Sequence, residues 1–449
     1  MADMEKAKFD LVIKNGKLIL PNYKTELLDI GIKNKKIEKL GSIKEELSDN
    51  ILDARGLIVL PGVIDSQVHF REPGLTHKED IYHGTMGAAL GGVTTIFEMP
   101  NTNPATINEK ELNIKLDIAE RKSFCNYSFF IGAAKENISN LSKLENLEGC
   151  CGVKIFMGSS TGDLLVEDDE SLKKIISNIN RRFAVHSEDE YRLRDRKKIL
   201  DSADVSVKDH PIWRDDKTAI SSTERLLKIA REVGKSNLHI LHISTSEEIE
   251  MISKNKNLCT CEVTPQHLFF NSPQCYEALG TLAQMNPPIR DNRHNKGLWN
   301  GINNKTVDVI GSDHAPHTLA EKNKDYPNSP SGMTGVQTLL PILLNFVNDQ
   351  KLKLEDVVRL TSVNPCKIYK IKNKGQIKTG YDADLTIIDL NKEFEITNNW
   401  IASKSSWTPY DQLKVKGMPI FTIINGKVVM RENEIDESSA GEKVEFSFQ

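Results

Sequence analysis

The sequence predicts an α/β fold, a (β/α)8 TIM barrel joined to a small β-sandwich that both ends of the chain build together. Three observations lead there. Short apolar strands alternate with amphipathic helical stretches through the middle of the chain. Nearly every one of those strands ends in a residue with useful chemistry. The two termini read as β-rich segments unlike anything between them.

Eight barrel strands are expected, at VIDSQVHF (63–70), VTTIFEMPN (93–101), NYSFFIGA (126–133), GVKIFMG (152–158), RFAVHSE (182–188), LHILHIS (238–244), LCTCEVTP (258–265) and VDVIGSDHAPH (307–317). Segments such as INEKELNIKLDIAERK (107–122) and STERLLKIAREVG (222–234) between them place apolar residues at helical spacing. A doubly wound open sheet would also alternate, but no glycine-rich phosphate fingerprint follows the first strand. The strand ends favour the barrel. His69, Asn101, Lys154, His186, His242 and Asp313 come from strands that an open sheet could not easily bring to one point, whereas barrels assemble sites from C-terminal strand ends.

At the termini, LVIKNGKLIL (11–20) and TIINGKVVM (422–430) each place β-formers around Asn-Gly, the strongest short hairpin signal. GYDADLTIIDL (380–390) adds a further strand. The partition expected is a composite β domain over 1–60 and 375–449, with the barrel over 61–374.

Composition narrows the function. The chain has 449 residues, 39% of them hydrophobic, enough for a core without disulfide staples. Its net charge of −4 offers no footprint for nucleic acid or anionic membrane. The charged N-terminus lacks a signal-peptide core, and no apolar run is long enough to span a bilayer. The seven cysteines have neither zinc-finger nor thioredoxin spacing and are expected to be reduced thiols of a cytoplasmic protein.

A metal site is expected at the barrel mouth. Asp65, Gln67 and His69 alternate along strand one, so their side chains should share a face. An HxH pair there would be a metal signature, and Gln67 stands in place of its first histidine. His186 ends strand five. His239 and His242 on strand six are an odd interval apart and should face opposite sides, with His242 the better ligand and His239 packed between barrel and helices. Asp313 ends strand eight. Imidazole with carboxylate oxygen suits Zn²⁺, although Mn²⁺ or Co²⁺ could take the same ligands. A water shared by such metals would lose its proton near neutral pH and become the nucleophile, with Asp313 as general base and then acid.

Lys154 permits two readings. Desolvation inside a barrel would lower its pKa and leave a neutral amine that can take up carbon dioxide as a carbamate, a two-oxygen bridge between cations. Alternatively, a lysine at a strand mouth could grip an anionic substrate.

Over essentially its whole length the chain resembles the dihydroorotases of the amidohydrolase superfamily. The resemblance is carried by QVHFREPG followed by HKED, MPNTNP, GVKIFMGSSTG, LHIST, MNPPIR and SDHAPH. Dihydropyrimidinases and allantoinases share the barrel and most ligands, but arginine directly before EPG, combined with MPNT, looks like dihydroorotase. The resemblance implies metal ligation by His69, the carboxylated Lys154, His186, His242 and Asp313, with Gln67 a weak or absent ligand. It implies one or two zinc ions, one site weakened, and carbon dioxide bound as the carbamate. It further implies that Arg71, Asn101 and His317 hold a substrate carboxylate and that Asn286 makes another contact. The reaction implied is reversible hydrolysis of dihydroorotate to N-carbamoyl-aspartate in pyrimidine synthesis, by a small-molecule enzyme that could be a homodimer. Alternatives are a related cyclic amidohydrolase, or a homologue that lost catalysis along with its first histidine. Some dihydroorotases close a threonine-bearing loop over substrate, which would fall here on Ser159, Ser160 and Thr161.

Overall fold

The computed structural model describes residues 9–160, 164–438 and 441–447. Eight parallel strands run Val63–Val68, Val93–Glu98, Asn126–Gly132, Cys150–Phe156, Phe183–His186, Leu238–Ile240, Cys259–Val263 and Val309–Ile310. Each pairs with the next in sequence. The ring meets itself where Val68 bridges His314 in parallel and the His69 N–H donates to the His314 carbonyl at 2.7 Å. The TIM barrel expected from the alternation is therefore present.

The helices between strands begin where side-chain caps allow. Asn108 accepts from the Glu111 N–H to start Glu109–Lys122, and Asp215 accepts from Thr218 to start Asp216–Glu232. Their apolar faces pack on outward-pointing strand residues such as Val153, Val185 and Ile240 to form the main core. Inward residues of the lower barrel form a second core. Phe97 and Phe130 meet Tyr369 edge-on there, and Val444 and Phe446 of the C-terminal segment join the same cluster.

The termini share one nine-stranded sheet with its own core of Ile13, Leu18, Ile32, Val59, Leu385 and Ile423, among others. The N- and C-terminal parts meet where Ile58–Pro61 pairs antiparallel with the start of Leu385–Ile396. Asn425 and Gly426 both take positive φ, 50° and 76°, and join Leu413–Ile424 to Lys427–Arg431 as the expected hairpin.

The other Asn-Gly behaves differently. Leu11–Ile19 is one continuous strand, and Asn15-Gly16 is an irregularity in its pairing rather than a turn. Of the two residues only Asn15 has positive φ, 59°, whereas a type I′ turn needs both. The Asn15 N–H donates to Asp29 at 2.9 Å, and Gly16 presses so close to Val59 that a Cβ would sit 2.7 Å from its methyl. The chain turns instead after Leu20, whose carbonyl accepts from the Tyr23 N–H at 2.8 Å.

The long connection between Leu385–Ile396 and Leu413–Ile424 returns to the barrel mouth. There the Trp407 indole N–H donates to the His317 carbonyl at 2.8 Å, and the Ser403 hydroxyl donates to Glu79.

Candidate active site

One cavity at the C-terminal strand ends is lined by Gln67, His69, Arg71, Asn101, Lys154, His186, His242, Asn286 and Asp313, together with Phe156, Ser160, Ala315, Ser331 and Gly332. All of the residues expected to ligate metal are in it. Backbone strain accompanies them: Arg71, His242 and Asp313 all hold positive φ (64°, 35° and 46°), which non-glycine residues adopt only when the surrounding structure enforces it.

The kink at His242 corrects the expectation for strand six. The regular strand stops at Ile240, and the left-handed His242 breaks the alternation that would have sent its ring to the opposite side from His239. Both rings therefore point into the barrel. His239 lies deep, its Nδ1 2.8 Å from the Thr260 hydroxyl and its ring edge-on to Tyr369, rather than between barrel and helices. On strand one, Gln67 and His69 line the cavity, whereas Asp65 accepts from the Ser312 N–H at 3.0 Å and does not reach it.

Two groups of buried polar side chains meet on the cavity wall. Glu188 is held ionised, well below the usual carboxylate range against the cost of its burial, by Arg214 and by His186. Being ionised it can only accept, so the 3.0 Å contact makes His186 Nε2 the donor. Burial lowers the His186 pKa, so the ring is neutral and its Nδ1 keeps a lone pair. That nitrogen lies 3.0 Å from His242 Nε2, on a ring that burial also keeps neutral. His69 belongs to the second group. His69 Nδ1 contacts Asn101 Oδ1 at 2.7 Å, and its Nε2 lies 3.4 Å from Asp313 Oδ1. Burial brings the His69 pKa down to about 4. Gln67 Nε2 donates to the same Asp313 oxygen at 2.9 Å, and its own Oε1 is buried without a partner. Imidazole nitrogens, a carboxylate and an orphaned amide oxygen, all buried, are donor types that suit a divalent cation, although among the described residues no three His, Cys, Asp or Glu side chains are grouped so that they could hold one.

Lys154 projects from strand four with its Nζ 4.6 Å from the centre of the Phe156 ring. Burial pulls its pKa down to about 7, with the charges of Asp313 and Glu262 opposing, so much of the amine is neutral at physiological pH.

Arg71 is fully buried, and burial lowers its pKa only to about 10, which leaves it a cation. Its Nε donates to the Pro316 carbonyl at 3.2 Å, and Nη1 has no partner. Asn101 lines the same cavity, and half-buried Asn286 does too. His317 stands behind them, off the cavity wall, with its Nε2 3.0 Å from the Ser331 carbonyl. Ser160 is on the wall, Ser159 donates to Glu190, and Thr161 lies outside the described residues.

Sequence reasoning missed three supporting residues. Glu188 fixes the His186 tautomer, and the HSED spacing, which sets a carboxylate two residues after a strand-end histidine, could have revealed it. Arg214, which pairs with Glu188 at 2.6 Å, has no local signal. His210, whose Nε2 lies 3.1 Å from Asn286 Oδ1 and 2.9 Å from the Met285 carbonyl, is likewise visible only in three dimensions.

Residues 58–429 match the model of the Amidohydrolase family. A dihydroorotase of Methanosarcina mazei is 36% identical over 442 residues, covering 95% of this chain and 95% of its own. A dihydroorotase of Methanosphaera stadtmanae is 36% identical over 439 residues, covering 95% of this chain and 97% of its own. Among solved structures, an L-hydantoinase (dihydropyrimidinase) from Arthrobacter aurescens aligns with a TM-score of 0.90 at 27% identity, covering 95% of this chain and 97% of that one.

Proposed function

This chain belongs to the amidohydrolase family, and from that premise we propose that it is a dihydroorotase, which opens the ring amide of dihydroorotate to N-carbamoyl-aspartate and closes it again in pyrimidine synthesis. The observation that carries the choice is Arg71. A buried guanidinium with one unpartnered terminal nitrogen, on the wall that also holds the acceptor cluster, awaits a small anion beside the reacting centre. Dihydroorotate brings a carboxylate to that place; dihydrouracil and hydantoin rings do not.

Zn²⁺ suits these donor types and would be held by His186, His242 and Lys154 at one position and by His69, Asp313 and the weaker Gln67 at the other. When bound, the ion would supply Lewis acidity to the ring carbonyl and acidify a water. Lys154 would serve as a carbamate: its neutral amine would form a bond to the carbon of carbon dioxide and shed a proton, leaving an anion with two oxygens to offer a metal. Asp313 takes the proton of the attacking water and returns it to the ring nitrogen as the C–N bond breaks. Arg71 and Asn101 hold the substrate carboxylate and Asn286 contacts the ring, while His317, expected to share the carboxylate, stands behind Arg71 and off the cavity wall. Every cysteine is buried and unpaired, which agrees with a reducing, cytoplasmic setting.

A hydantoinase-like activity is the second reading, because the Arthrobacter structure aligns so closely. Assay of the zinc-loaded protein on dihydroorotate, dihydrouracil and allantoin, with metal content measured in parallel, decides between them. Turnover of dihydroorotate far above the others is expected; preference for an uncharged ring would overturn the proposal.

A further inference from the structure

Lys78 is not on the cavity wall, yet its ammonium lies 3.1 Å from His317 Nδ1. An ammonium has hydrogens to give and no lone pair, so Nδ1 must be the acceptor. The neutral ring then carries its hydrogen on Nε2, which donates to the Ser331 carbonyl at 3.0 Å. A doubly protonated ring is disfavoured by its burial and by the cations around it, Arg71, Lys78 and Lys322.

This choice of tautomer bears on Arg71, whose Nη2 is 3.4 Å from His317 Nε2. Two N–H donors at that distance do not bond to one another, so Nη2 stays available beside the unpartnered Nη1. In the other tautomer Nε2 would offer a lone pair, capture Nη2 and turn that lone pair on the Ser331 carbonyl. The imidazole would then compete with an incoming anion for the guanidinium. We propose that Lys78 is a positioning residue for the carboxylate subsite, one that holds His317 in its Nε2–H form and so keeps both terminal nitrogens of Arg71 free for the substrate.

The surroundings leave the hydrogen's location as the ring's main freedom. Trp407 anchors the His317 carbonyl, and Gly332 packs so close that a Cβ there would lie 3.0 Å from the ring. Lys322 ties down the flanking chain by donating to the Gln284, Pro330 and Gly332 carbonyls. Lys78 is itself held by Glu321, 3.1 Å away, a residue locked in a capping box with Thr318.

The inference rests on the dihydroorotase reading for its kinetic consequence but not for its tautomer. The test is long-range ¹H–¹⁵N correlation on the zinc-loaded full chain with ¹⁵N-histidine, the His317 signals being identified by their loss in His317→Gln. The expected wild-type ring is Nε2–H. Lys78→Met should shift it toward the Nδ1–H form and raise KM for dihydroorotate about tenfold, equivalent to about 1.4 kcal/mol. Its kcat should stay within about twofold and its metal content should not change. Lys78→Arg, which also can only donate, should restore both tautomer and KM. A wild-type ring in the Nδ1–H form overturns the proposal even if neither Lys78 variant folds, as does an unchanged tautomer in Lys78→Met. Wild-type protein inert toward dihydroorotate would defeat the functional reading instead, while the spectrum still decided the role of Lys78.

Discussion

His186 Nδ1 and His242 Nε2 face each other at 3.0 Å on two buried rings, and the Glu188 carboxylate leaves His186 with a lone pair, not a hydrogen, on that side. A neutral His242 can meet that lone pair with its Nε2–H, and a bound cation would replace this hydrogen and take both nitrogens as ligands. On the proposed assignment the stronger of the two metal positions would be here, on His186, His242 and Lys154.

The other position should be the weaker, because Gln67 offers a neutral amide oxygen where imidazole would bind zinc better. Chelator titration of the zinc-loaded protein should release metal in two stages, with the looser ion leaving first. Gln67→His should tighten that first stage, and direct metal analysis of dialysed protein should rise toward two equivalents. Two equally tight ions in the wild type, indifferent to this substitution, would remove Gln67 from the account.

Lys154→Ala should lose most activity and much of the bound metal, with partial recovery on adding small carboxylic acids. If the carbamate forms, carbon-13 dioxide should label the wild-type protein at one lysine, and the label should vanish in the variant. Carbamate formation needs the neutral amine, and the Lys154 pKa lies near 7. Reactivation of decarboxylated enzyme by bicarbonate should thus slow as pH falls below about 7, at equal dissolved carbon dioxide.

Arg71→Met should cut kcat/KM for dihydroorotate by the loss typical of one buried charged contact, about 2–5 kcal/mol. Metal content should stay near normal, since Arg71 is not among the donors. An equal loss on an uncharged ring substrate would assign Arg71 another task.

Glu188→Gln should weaken metal binding about 10–100-fold by loosening the ring of His186, measured by competition with a chromophoric chelator. The same substitution should change acid stability. Because the folded-state pKa of Glu188 is depressed, its contribution is present above the unfolded value of about 4.5 and is lost as pH falls through the folded one. Metal-free Glu188→Gln should accordingly show a shallower loss of melting temperature below about pH 4.5 than metal-free wild type.

The sequence by itself determined the alternation of strands and helices, hence the barrel, and the strand ends at which His69, Lys154, His186 and Asp313 stand. Periodicity and terminal position are local properties that a chain displays without folding. Gln67 was legible for the same reason, as a departure at a known place in a pattern. What local pattern could not decide was conformation set by neighbours. Asn15-Gly16 and Asn425-Gly426 are the same dipeptide, yet Asp29 and Val59 hold the first within a strand while the second turns. Strand alternation sent His239 and His242 to opposite faces, until the positive φ at His242 turned both inward. The supporting residues were least visible of all. Arg214 reaches Glu188 across 26 positions and Lys78 reaches His317 across 239, and in both cases only tertiary packing brings donor and acceptor within bonding distance. Hydrogen bonds and desolvation act over a few ångströms of space, so the protonation states on which this site depends follow from the packed structure and not from order along the chain.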